Sequence, residues 1–109
     1  MCGFFASNDP RIQLNSLNVI NDRLSFRGPD SQSGLVSHGD WKLYHSRLSI
    51  IAPREEFSQP FFSSDGNVLV FNGEILNFRE LLEEYSLKQT DSDTEALNEL
   101  LNIEGFDLN

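Results

Sequence analysis

Cys2 is the residue of this chain best placed for covalent chemistry, and it is the chain's single cysteine. A small second residue permits removal of the initiator Met1, which would leave a thiol and an α-amine together on Cys2. A nucleophile needs a base to take its proton, and a free amine on the same residue can serve, as in hydrolases with an amino-terminal threonine. Ordinary thiols and α-amines are both mostly protonated at neutral pH. Partial burial lowers an amine's pKa and makes it a working base. The competing reading is that an isolated cysteine is simply a small buried hydrophobe. His38 and His45 carry no convincing catalytic role, and His45 reads as a hydrogen-bonded structural histidine. With one cysteine and no clustered histidine pair, no metal site is expected.

Several elements must position that amino terminus. Residues 2–6 read as a short buried strand, stopped by the turn formers Ser7-Asn8-Asp9-Pro10. Leu14, Leu17, Ile20 and Leu24 keep helical spacing up to Ser25, where Arg27-Gly28-Pro29-Asp30 breaks the pattern. Leu35-Val36 and residues 41–51 read as a hairpin turned at Gly39-Asp40 and ended by Pro53. Asp65-Gly66 predicts another turn, followed by an apolar strand over residues 68–71 that enters Asn72-Gly73. Two helices follow. Asn77 with Glu80 predicts a cap before a face of Phe78, Leu81, Leu82 and Tyr85. Ser92 with Glu95 predicts a capping box before Leu97, Leu100 and Leu101, with Gly105 as the stop.

Bulk properties narrow the partners. A chain of 109 residues is one domain at most. Its formal charge of −9 argues against nucleic acid and against anionic membrane surfaces. No apolar run approaches the roughly 20 residues of a membrane span, and the start lacks the pattern of a secretory signal. A cytoplasmic location is expected.

Six sequence fragments occur in order. They are Met1-Cys2-Gly3-Phe4-Phe5, Arg27-Gly28-Pro29-Asp30, His45-Ser46-Arg47-Leu48-Ser49-Ile50, Gln59-Pro60, Asn72-Gly73-Glu74-Ile75 with Asn77, and Ser92-Asp93-Thr94-Glu95. Each is weak alone. Together they closely resemble the start of class II glutamine amidotransferases, in particular the asparagine synthase (glutamine-hydrolysing) branch. The resemblance implies an α+β fold, the αββα sandwich of N-terminal-nucleophile (Ntn) hydrolases. It implies glutamine hydrolysis to glutamate and ammonia through a Cys2 thioester, with L-glutamine as the small-molecule partner.

The same resemblance assigns roles. Arg47 binds the α-carboxylate of glutamine, for which a planar guanidinium is suited by its two parallel hydrogen bonds. The backbone of Leu48, Ser49, Ile50 and Ile51 lines that pocket. Asn72 and Gly73 form the oxyanion hole, although an isolated Asn-Gly is more simply a hairpin turn. Asp93 holds the α-ammonium with Glu74 nearby, although an acid in a helix's first turn is also favoured by the helix dipole. Arg27 and Asp30 shape the loop around the nucleophile. The domain itself needs no cofactor, and ATP and Mg belong to a synthetase domain. Residues 1–109 correspond to the amino-terminal part of the amidotransferase domain, with the sandwich incomplete and the synthetase absent. Three readings follow: a piece of a full amidotransferase, a split subunit needing a complementing chain, and a non-catalytic truncated remnant.

Overall fold

The computed structural model describes residues 2–48 and 59–106. In chain order its elements are β1 (Gly3–Ser7), α1 (Leu17–Leu24), β2 (Ser31–Gln32), β3 (Val36–His38), β4 (Trp41–Arg47), β5 (Phe61–Phe62), β6 (Val68–Leu69), α2 (Phe78–Glu84) and α3 (Asp93–Leu101). The protein is thus a mixed α and β domain. Among the described residues no helix is long and apolar enough to cross a membrane.

β4 is the axis of the first sheet. β1 runs antiparallel along one of its edges, with Gly3 opposite Ser46 and Phe5 opposite Tyr44. β2 and β3 share the other edge, with Ser31 opposite Arg47 and Val36 opposite Leu43. Residues 32–36 face residues 43–46, so one residue is extra on the β2–β3 side. It is absorbed as a bulge. There Ser33 N–H donates to the His45 carbonyl, and Ser33 Oγ accepts His45 N–H, both at 2.9 Å. Gly34 takes the left-handed conformation this needs, at φ +71°.

Successive side chains of a strand point to opposite faces. Tyr44 and Ser46 point toward α1. Tyr44 Oη donates to Asn21 Oδ1 at 2.8 Å, and Ser46 Oγ donates to the Leu24 carbonyl at 2.8 Å. Leu43, His45 and Arg47 therefore occupy the other face. All five residues from Leu43 to Arg47 are buried, so β4 is covered on both sides.

The second layer is built from less backbone. β5 and β6 form a hairpin of two-residue strands around the Asp65-Gly66 turn. α2 and α3 pack through Phe78, Leu82 and Ala96, joined by Ile75 and Leu87. The two layers meet where His38 lies tilted against Phe62, ring centroids 6.1 Å apart and planes at 58°.

Several expectations shift. Among the described residues the amino-terminal strand pairs with β4 alone and lies at the sheet's edge, with Phe4 exposed and Gly3 buried. The first helix is confined to Leu17–Leu24 between 3-10 turns, and only Ile20 of its apolar positions is fully buried while Leu14 is exposed. β6 stops at Leu69, short of Phe71. Ser92 caps α3, its hydroxyl accepting Glu95 N–H at 3.2 Å, but the expected capping box is only half formed: Ser92 N–H donates to Thr90 Oγ1, and the Glu95 carboxylate accepts from the Thr90 hydroxyl. Asn77 stands at the cap position of α2, but its side chain makes no capping bond. α3 ends at Leu101, so Gly105 turns the chain beyond the helix without stopping it. Tyr85 and Leu101 lie exposed, off their helices' buried faces.

Candidate functional site

The Cys2 sulfur sits directly on the backbone of Leu48. It accepts Leu48 N–H at 3.3 Å and lies 3.7 Å from the Leu48 carbonyl, to which the thiol donates. The Cys2 carbonyl is fixed separately, accepting from Arg27 Nε at 3.2 Å. Continuing the β1–β4 register by one residue puts Cys2 opposite Arg47. Both then belong to the face of the sheet turned away from α1.

Arg27 is placed by Gly28. A Cβ on Gly28 would lie 2.3 Å from the Ser46 carbonyl carbon and 2.4 Å from Arg47 N. No side chain fits there, and the bare backbone lets the 27–30 segment lie flat on the end of β4. Asp30 N–H donates to the Arg47 carbonyl at 3.0 Å, and Gln32 Nε2 donates to the Gly28 carbonyl at 2.9 Å. Arg-Gly-Pro-Asp is therefore a strap across the strand that carries Arg47. Arg47 itself is buried.

His45 lies between Arg47 and the second layer. It is 1% exposed, and its Nε2 has no hydrogen-bond partner. The expectation of a hydrogen-bonded structural histidine thus holds for its burial, whereas this nitrogen is unpaired. Burial lowers its pKa to about 4, the Arg47 charge adds to that, and the Phe71 backbone works against it. His45 is consequently neutral at ordinary pH.

Phe71 opens the opposite wall. Gln59 grips both of its backbone groups: Oε1 accepts Phe71 N–H at 2.6 Å and Nε2 donates to the Phe71 carbonyl at 3.1 Å. The next three residues, Asn72, Gly73 and Glu74, are exposed and outside any helix or strand. Neither Asn72 nor Gly73 has a positive φ. A two-residue type I′ hairpin turn requires positive φ at both, so that alternative is excluded. Ile75 N–H then donates to Asp93 Oδ2 at 3.0 Å, and buried Asp93 is the first residue of α3.

The structure thus joins Cys2, Leu48 and Arg27 directly, and joins Asp93 to the segment that carries Asn72, Gly73 and Glu74. His45 and Phe71 link the two groups. Ser49, Ile50 and Ile51 lie outside the described residues. Gln59 was marked only as part of the Gln59-Pro60 motif, and nothing in that motif signalled that its amide would hold Phe71. Among the described residues no group of three His, Cys, Asp or Glu could hold a metal ion.

A mixed α and β domain, carrying its one cysteine at position 2 against a buried central strand, is the class of protein described so far. The family model for the glutamine amidotransferase domain matches residues 1–108, and the chain belongs to that family. Its relatives include a probable glutamine-hydrolysing asparagine synthetase of Acanthamoeba polyphaga mimivirus, 35% identical over 98% of this chain and 21% of the relative. The glutamine-hydrolysing asparagine synthetase of Asparagus officinalis is 38% identical over 98% of this chain and 19% of its own length. Asparagine synthetase 1 of Arabidopsis thaliana is 37% identical over the same shares, 98% and 19%. The chain spans about a fifth of the length of these relatives. No solved structure matches it.

Proposed function

We propose that this domain hydrolyses glutamine to glutamate and ammonia, with Cys2 as nucleophile after removal of Met1. The observation that carries the reading is the seating of the Cys2 sulfur on Leu48 N–H, one residue beyond buried Arg47 on β4. Glutamine docks with its α-carboxylate on Arg47 and its α-ammonium on the second oxygen of Asp93, with Glu74 beside it. A zwitterion gripped at both poles is distinguished from a simple amide. The backbone of Leu48 closes that side of the pocket.

The Cys2 α-amine takes the thiol proton as sulfur attacks the amide carbon. Negative charge collects on the amide oxygen, which the Asn72 side-chain amide and Gly73 N–H stabilise. The C–N bond breaks and the protonated amine returns its proton to departing ammonia. Water, deprotonated by the same amine, then cleaves the thioester to glutamate. Loss of one oxyanion donor, as in Asn72→Ala, lowers kcat on the order of 100–1,000-fold. The domain adopts the αββα sandwich of N-terminal-nucleophile hydrolases. Its ammonia serves an ATP-dependent amidation of the asparagine-synthase kind, carried by a synthetase domain or a complementing chain.

The test is release of glutamate from glutamine by the purified chain. The reading predicts release that Cys2→Ala abolishes. No release, or release that survives Cys2→Ala, overturns it.

A further inference from the structure

Oxyanion donors work only when they are held in place before the charge develops, because reorganising them in the transition state costs what they would contribute. Asn72, Gly73 and Glu74 are exposed and lie in no ladder, so their own backbone supplies no such rigidity. The rigidity comes from either side. Gln59, buried at 9% exposure, presents its amide to Phe71 as a neighbouring strand would present its backbone, accepting from the N–H and donating to the carbonyl. Its Nε2 also donates to Thr94 Oγ1 at 3.3 Å. At the other end, Ile75 N–H is held by Asp93. Asp93 and Thr94 are consecutive residues of the first turn of α3, and Ser92 caps that turn. Both anchors of the 72–74 segment therefore end on one turn of one helix.

We infer that Gln59 is a positioning residue for the oxyanion donors, bracketing Phe71 to α3 so that Asn72 and Gly73 are held ready. This rests on the glutaminase reading above. A side-chain amide suits this work because its NH2 and its oxygen, side by side on one planar group, donate and accept at once. A glutamate there would set a carboxylate oxygen against the Phe71 carbonyl, and a leucine would take away the partner of the half-buried Phe71 N–H and the amide donor to its carbonyl.

The test compares wild type with Gln59→Glu and Gln59→Leu by three readings on the whole chain. Glutamine turnover should show kcat reduced by roughly 10–100-fold with KM within about threefold, the pattern of a lost transition-state interaction. Alkylation of Cys2 by iodoacetamide, which needs no oxyanion hole, should stay within about twofold of wild type. Amide hydrogen exchange should accelerate about tenfold or more across residues 71–75 while the amides of β4 keep their protection. Unchanged exchange across 71–75 overturns the inference. So does a KM effect without a kcat effect, or acceleration in β4 together with altered Cys2 alkylation, which marks a general structural role. If wild type turns over no glutamine, the glutaminase reading fails, and the exchange data alone still decide whether Gln59 is the bracket.

Discussion

The two walls of the site are held by different physics. The wall that carries Cys2 is a backbone ladder: β1, β2 and β3 all pair with β4, and Cys2 and Arg47 take their places from register. The opposite wall has strands of only two residues, and side chains do the positioning through Gln59, Asp93 and Ser92. A ladder distributes its constraint over many hydrogen bonds, so one side chain matters little unless it blocks the close approach of two backbones. A bracket concentrates the constraint, so single side chains decide the geometry. The first wall should fail by steric intrusion and the second by loss of individual bonds.

The largest effect should come from intrusion. Gly28→Ala sets a methyl 2.3 Å from the backbone of Ser46, where no flexible side chain can yield. It should cost about 3 kcal/mol or more of stability, measured by urea unfolding. A loss below about 1 kcal/mol would mean that the strap lifts off β4 without consequence.

His45 tests the contact between the walls. Its folded pKa is lowered from 6.5 to about 4, so the unfolded chain binds a proton that the folded chain refuses in that interval. Stability contributed by neutral burial is complete above pH 6.5 and is lost as pH falls toward 4, by up to roughly 3 kcal/mol. Urea midpoints across that range should fall more steeply for wild type than for His45→Gln. Parallel curves would contradict the burial of a neutral imidazole.

The smallest effect separates two helix starts. Ser92→Ala removes a made cap and should cost about 1 kcal/mol. Asn77→Ala removes a side chain that caps nothing, and its cost should lie within about 0.5 kcal/mol of zero. Equal costs in thermal unfolding would erase the distinction.

That last pair also shows what the sequence could convey. Both positions carry cap residues with an acid three places on, and the patterns are equivalent on paper. Ser92 has extended backbone, φ −116° and ψ 122°, which aims its hydroxyl into the first turn. Asn77 has φ −100° and ψ 23°, and there its side chain misses. Dihedrals decide, and residue type does not report them. The hairpin at Gly39-Asp40 and the turn at Asp65-Gly66 were legible because local chemistry sets them. The bulge at Ser33-Gly34 was not, since it exists only in the register of β4 with two partners. Cys2 and Gly28 stood out by position and motif. Gln59 did not declare its role, because its bonds reach Phe71 and Thr94, 12 and 35 residues away, and follow no period.

The central claim is that position 2 of the chain offers sulfur and a free amine together to an amide. It is tested most directly by treating the purified protein with a diazoketone analogue of glutamine and reading the product by mass spectrometry. The account predicts one adduct, on Cys2, in a chain that has lost Met1, with protection by added glutamine. An adduct elsewhere, or labelling that persists in Cys2→Ala, would contradict it.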